Sequence, residues 1–427
     1  MSNPDLLSKE NRKLQLAVNE LSVLNDIATT ISSTQPVETI IDQIVQKCIK
    51  HLKVQEGVVS LLERNSEADR FQTMIRRHDS SSAKVPIKLD DRLKGWMLKN
   101  RSTLMSNDIG SDDRFKFLEK DSYSFRSILC VPLMVKGDLT GYLAVFNKKE
   151  DQPFTDEDRR LLSIIGSQSA QVIENARLYE EEKALLTLQE ELRMARDIQI
   201  KLLPDSIPDI PGFQIAATNI PAKSVGGDYY DFIPLDSGKT GLCIGDITGK
   251  GMPAAMLMAN LQATLRSQAM IHETCADCLE GTNKLLYKST ESTKFATLFY
   301  GEIDPENGTL NYANGGHDAP LLFRKGEDAA PLNATGLLVG VMADSAYGEN
   351  TITFRQDDLL LLYSDGITEA MNTREEEFGL DRLKEVTSDL MDRSADGVMD
   401  AILEAVDDHT EDHPQSDDIT LLVIKRV

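Results

Sequence analysis

Apolar positions recur at intervals of three and four from Leu6 to about Ser32, at Leu14, Val18, Leu21, Leu24 and Ile27, a spacing that predicts a helix. A second helix is predicted from Val37 to about Leu52. The pattern then changes: "EGVVSLLER" and "FQTMIRRH" read as strands, and "SILCVPLMVKGDLTGYLAVFNKK" as a hairpin turning at Lys136-Gly137-Asp138. Between them "LKGWMLKN" predicts a short helix, and "FTDEDRRLLSIIGSQSAQVIENA" a long one, with Thr155 and Asp158 placed as a capping box. The long helix continues: Leu178, Leu185 and Leu192 lie seven apart, with Leu188, Ala195 and Leu202 three positions on, an a/d seam as far as Pro204. A helix packed on its own domain would show the same stripe. About three heptads rich in Glu, Lys and Arg, without glycine or proline, fit a two-stranded coiled coil better, and so predict a dimer and a rod for signal transmission.

This order of helix, strands, short helix, hairpin and closing helix resembles the GAF domain, a small-ligand and dimerisation module of signalling proteins, over roughly residues 20–178. The run "SILCVPLMVKGDLTGYLAVFN" followed by "FTDEDRRLL" carries most of the likeness. The resemblance implies a pocket for a cyclic nucleotide, haem or a small acid, or an empty one; no residue selects among them.

After Pro204 proline and glycine become frequent ("PDSIPDIPGF") and a new domain begins. Within it four apolar runs border an aspartate. Asp228 stands at the turn opened by Gly226 and Gly227 in "KSVGGDYYDF". That stretch alone fits a metal-binding turn, an imperfect GGDEF signature of nucleotide cyclases, or a solvated β-turn. Asp246 ends the strand "TGLCIG" before a glycine turn and a helix, Asp365 follows the buried strand "DDLLLLYS", and Asp417 with Asp418 opens the last strand, "ITLLVIKRV". Like charges gathered at one place repel unless a cation neutralises them. Ligation by carboxylates alone favours Mg²⁺ or Mn²⁺, and two such ions about 3.5–4 Å apart would activate a water and clamp a phosphoryl group.

Composition narrows the field. A chain of 427 residues predicts about two or three domains. With 46 basic and 69 acidic residues the net charge is −23, which argues against nucleic acid or an anionic membrane as partner. Five scattered cysteines make no disulfide framework, and the Cys275/Cys278 pair lacks the second pair or nearby histidines of a zinc site. The amino terminus has no signal-peptide core and the chain no apolar run of about 18 residues, so the protein reads as soluble and cytoplasmic.

At the aspartates the sequence resembles the metal-dependent protein phosphatases, the protein phosphatase 2C-like (PPM) family, in its bacterial SpoIIE-like and RsbU-like branch. "ELRMARDIQIKLLP", "VGGDYYDF", "IGDITGKGMPAAMLMA", "FATLFYGEID", "YANGGHDAPLL", "YSDGITEAMN", "FGLDRL" and "SDDITLLVI" come in that branch's order over about residues 190–427. A cyclase domain would not supply the later aspartates in this order. The resemblance implies an α+β chain: an N-terminal helix (1–19), a GAF α/β domain (20–178), a coiled-coil linker helix (179–204) and a PPM-type α-β-β-α sandwich (205–427) with a two-metal site, Mn²⁺ or Mg²⁺, at one edge. Carried over, Asp228 would touch or bridge the metals, Asp246 would bridge both, the Ile247 carbonyl would complete one sphere, and Asp365 and Asp417 would hold the other ion. Gly227 and Gly366 would let the backbone approach the ions, and Asp231 reads as a turn acid. Thr248 replaces the histidine that serves eukaryotic members as general acid, no phosphate-binding arginine is found near Asp228, and the leaving-group proton would come from a metal-bound water or from Lys250. His317 reads as a structural turn residue, and the Met-rich "GMPAAMLMANLQATL" as a core-facing helix or a flexible interface, the helix pair that the resemblance implies switches the site. The implied substrate is phosphoserine or phosphothreonine, in particular on a phosphorylated anti-anti-sigma factor of the STAS type. The opposing reading is a catalytically silent scaffold that binds metal and partner proteins.

Overall fold

The computed structural model describes residues 35–63, 70–78, 87–115, 125–290 and 293–427, with scattered helical positions between 10 and 25; for residues 63, 70–78 and 87–92 it describes backbone alone. The helix expected over residues 1–19 and on to Ser32 lies outside the described residues except at those positions. The chain divides into two units, Met1–Thr187 and Leu188–Val427. Among the described residues no helix is long and apolar enough to cross a membrane.

The first unit contains α1 (Val37–Leu52), β1 (Val54–Glu63), β2 (Arg70–His78), α2 (Ile87–Asn100), β3 (Leu104–Ser106), β4 (Ile128–Val135), β5 (Asp138–Lys148) and the start of α3 (Asp156–Ile200). Its strands form one sheet in the order β2-β1-β5-β4-β3, antiparallel throughout. The predicted hairpin turns on Lys136 (φ 52°) and Gly137 (φ 94°), the left-handed pair whose twist matches a two-residue loop. One stripe of α1, Ile40, Ile41, Ile44 and Cys48, packs with Leu129 and Leu143 of the sheet and Leu162 and Ile165 of α3. The expected capping box closes the start of α3: Thr155 N donates to Asp158 Oδ2 (2.8 Å) and Asp158 N to Thr155 Oγ1 (3.2 Å). Further along α3, residues 178–191 are all exposed, with Leu178, Leu185 and Leu188 between 52% and 55% accessible.

The second unit holds the end of α3, β6 (Phe213–Ile220), β7 (Tyr229–Pro234), β8 (Thr240–Ile247), α4 (Met252–Ala269), α5 (Cys275–Ser289), β9 (Ala296–Asp304), β10 (Thr309–Gly315), β11 (Leu321–Phe323), β12 (Ala330–Pro331), β13 (Asn350–Thr353), β14 (Leu359–Tyr363), α6 (Asp365–Thr368), α7 (Leu380–Asp389), α8 (Ala395–Thr410) and β15 (Ile419–Arg426). Two five-stranded sheets, β13-β10-β9-β8-β7 and β12-β11-β14-β15-β6, pair antiparallel throughout. The period-two alternation of "LLLLY" sorts the layers. Leu360 and Leu362 enter the inter-sheet core with Phe299 and Leu310, while Leu359 and Leu361 face Val398 and Ile402 of α8. On the other sheet Tyr229 and Cys243 pack against Met258, Leu261 and Leu265 of α4. The result is the expected α-β-β-α sandwich. The Met-rich helix serves both readings: Met258 is in the core and Met256 is 70% exposed.

All five cysteines are buried and free. Burial pushes the thiols of Cys48 and Cys278 up to about 12.

Candidate metal centre

Strand pairing explains how four aspartates distant in sequence meet. Tyr229 pairs with Gly245, which sets Asp228 beside Asp246; Tyr363 pairs with Leu421, which sets the start of α6, Asp365, against the segment that carries Asp417. All four acids therefore gather at the same edge of the sandwich.

Their chemistry records the crowding. Asp228 is buried and accepts a hydrogen bond from Thr420 Oγ1 (2.5 Å); burial first, then the charge of Asp246, holds its carboxyl well above the usual range. Asp246 is pushed up to about 7, by burial and then by Asp365, Asp417 and Asp418. Asp365 rises to about 6 through burial, Asp417, Glu369 and Asp318. Asp417 carries a counter-charge: Lys250 Nζ lies 2.6 Å from its Oδ2 and also donates to Ser416 O (2.8 Å). The Ile247 carbonyl faces the Asp228 loop, since a Cβ on Gly227 would stand 3.0 Å from it. A Cβ on Gly366 would fall 2.0 Å from the Asp418 carbonyl, so this glycine admits neighbouring backbone, where the sequence had suggested approach to an ion.

All five predicted ligands are thus brought together. Among the described residues no three His, Cys, Asp or Glu side chains close into a ready-made cage. The donor set still fits a hard cation: its ligating atoms are oxygens, its carboxylates repel one another, and the Lys250 ammonium stands in for positive charge at Asp417.

Several supporting residues escaped the sequence. Asp418 is 6% exposed and accepts from the backbone N–H of Ala222 (2.8 Å), Gly227 (2.6 Å) and Asp228 (3.4 Å), so it fastens the loop that presents Asp228. Asp231 is not a turn acid: it lies in β7 at 0% exposure, bound by Arg266 of α4 (Nε to Oδ2, 2.6 Å; Nη2 to Oδ1, 3.0 Å) and by the Tyr229 hydroxyl (2.6 Å). Thr248 spends its hydroxyl on Phe295 O (3.0 Å), which anchors the glycine turn after Asp246. His317 is structural, as expected. Its Nδ1 pairs with Thr297 Oγ1 (2.8 Å), which in turn accepts from Asp246 N (3.1 Å), and its Nε2 pairs with Tyr363 O (3.2 Å). It thereby ties together the strand ends that deliver Asp246 and Asp365, and burial lowers it to about 4, keeping it neutral.

Residues 236–427 match the family described as Stage II sporulation protein E (SpoIIE), and residues 36–173 the GAF domain. Protein IcfG of Synechocystis sp. is 32% identical over 263 residues, 55% of this chain and 41% of that protein. Phosphoserine phosphatase RsbU of Bacillus subtilis is 29% identical over 257 residues, 58% of this chain and 75% of RsbU. The chain therefore spans less than half of IcfG and three quarters of RsbU. The SiaA-PP2C domain of Pseudomonas aeruginosa shares the fold, with TM-score 0.51 and 20% identity over 57% of this chain and 98% of that domain. Residues 36–173 are accordingly a GAF domain, and residues 236–427 belong to the SpoIIE family of PP2C-type phosphatase domains.

Proposed function

We propose that this protein is a metal-dependent serine/threonine protein phosphatase of bacterial signalling. The observation that carries the proposal is the pair Asp246 and Asp365, raised toward neutrality by burial and by the acids around them at the edge of a PP2C-like sandwich. Asp228, Asp246, Asp365, Asp417 and the Ile247 carbonyl would hold two divalent ions, Mn²⁺ or Mg²⁺. Bound there, such ions supply the Lewis acidity that activates water and neutralises phosphoryl charge.

The chain's own residues then orient and exclude. Asp418 and Thr420 fix the Asp228 loop and carboxylate, while Thr297 and His317 fix the strand ends behind Asp246 and Asp365. Thr248 and His317 have their polar atoms committed within the protein, so neither supplies the leaving-group proton. Every cysteine is buried, so no thiol is placed to form a phosphoenzyme on sulfur, in keeping with direct attack by water.

The likeness to RsbU, a phosphoserine phosphatase by name, supports phosphoserine as substrate; our reading places that phosphoserine on an anti-anti-sigma (STAS) partner and the reaction in the cytoplasm. The exposed seam on α3 supports a homodimer, and the GAF domain a regulatory ligand. Phosphate release from a phosphoserine STAS protein, with Mn²⁺ or EDTA, tests the proposal. Metal-dependent turnover that Asp365→Ala abolishes is expected. A folded, metal-loaded chain inert toward that protein and toward p-nitrophenyl phosphate would make the silent scaffold the better reading.

A further inference from the structure

The final turn of α3 touches the Asp228 loop through one side chain. Gln199 is 9% exposed, and its amide grips a single residue of the loop at two points: Nε2 donates to Gly226 O (2.7 Å) and Oε1 accepts from Gly226 N (3.1 Å). Gly226 stands two residues before Asp228, and on its other side the loop is held by Asp418 through Gly227 N and Asp228 N. Just beyond Gln199, the Leu202 carbonyl accepts from Gln262 Nε2 of α4 (3.2 Å), and α4 is the helix that leaves Asp246 and Ile247. The end of α3 is thus bonded to the segments flanking the first two aspartates.

Heptad register gives the contact its meaning. Position 199 continues the series Leu178, Leu185, Leu192, and position 202 the series Leu188, Ala195. Leu178, Leu185 and Leu188 of these series are exposed, Leu192 and Ala195 are half-buried, and at 199 and 202 the stripe turns to the phosphatase unit, where Leu202 packs on the α4–α5 core. An apolar residue would extend the seam, whereas glutamine matches the backbone donor and acceptor of one residue, Gly226. A rotation or shift of α3 cannot move position 199 without stretching both bonds to Gly226.

We propose that Gln199 is a positioning residue for the metal centre, through which the setting of α3 fixes the loop that presents Asp228. The inference rests on the phosphatase reading for its consequence, but its test does not need turnover. In the full chain, Gln199→Leu removes both bonds at similar volume, and Gln199→Glu keeps an acceptor while losing the donor to Gly226 O. Mn²⁺ affinity is read by calorimetry, and the Mn²⁺ dependence of p-nitrophenyl phosphate hydrolysis alongside it. Loss of a hydrogen-bonding support behind a ligand weakens metal binding by about 10- to 100-fold, so half-saturation should shift by that factor while kcat at saturating Mn²⁺ stays within about twofold. A purely structural glutamine would instead lower the melting temperature and leave the metal affinity alone. A folded Gln199→Leu chain with wild-type Mn²⁺ affinity overturns the proposal. If that variant does not fold, unchanged affinity in Gln199→Glu overturns it equally. A wild type that binds Mn²⁺ but hydrolyses nothing sinks the phosphatase reading and leaves the affinity ratio to decide the role of Gln199.

Discussion

Asp418 offers the sharpest test of how the metal loop is held. Alanine there removes the acceptor for Gly227 N (2.6 Å), Ala222 N (2.8 Å) and Asp228 N (3.4 Å) at a site only 6% exposed. Two short bonds to a charged acceptor are worth about 1.5–3 kcal/mol each, and the long third adds little, so the gross loss is about 3–6 kcal/mol. Removing the charge also relieves its repulsion of Asp228 and Asp246. That relief returns on the order of 1 kcal/mol at the effective dielectric of a protein site. The net destabilisation of the metal-free chain is then about 2–5 kcal/mol, or about 10 °C for a unit of this size. Asparagine keeps one acceptor oxygen and gives the same relief, so Asp418→Asn should cost about 1 kcal/mol or less. Calorimetric melting of both variants in EDTA checks the difference. If the two melt together, close to wild type, the carboxylate does not hold the loop.

Arg266→Leu leaves Asp231 buried without its cation and should lower stability by about 3 kcal/mol, while the double variant with Asp231→Leu should regain most of it; equal losses in urea unfolding would refute the coupling. Asp246 and Asp365 have folded values near 7 and 6, above their ordinary 3.8, so their stabilising contribution is full below about pH 4 and is lost as pH rises through 6 to 7. The EDTA-treated chain should therefore melt higher at about pH 5.5 than at about pH 7.5, and Mn²⁺, which binds the ionised carboxylates, should reverse the order. A metal-free melting temperature that climbs across that window would refute the assignment. Leu185→Asp with Leu188→Asp, both at exposed seam positions, should turn a dimer into a folded monomer in sedimentation.

Features written in neighbouring residues were legible in the sequence: the Thr155/Asp158 box, the Lys136-Gly137 turn and the aspartates at strand ends each follow from a local pattern. Residues whose partners lie far along the chain were not. Asp231 has the surroundings of a turn acid until Arg266, on another element, arrives to neutralise it. Asp418 looks like a spare neighbour of Asp417 because its three donors come from a loop near residue 225. Gln199 reads as one more polar heptad residue, and only the folded contact with Gly226 distinguishes it. Periodicity reports which face is buried, but not which polar group waits there.

The burial of every thiol has a practical side. Peroxide and alkylating reagents attack ionised, accessible cysteine, and this chain presents none. Oxidative bursts that silence enzymes built on a sulfur nucleophile should pass it by, so its signalling would persist when theirs stops. For the experimenter the same property gives a blank background: a single cysteine placed at exposed Glu182 on α3 would take a spectroscopic label alone, and could report movement of that helix directly.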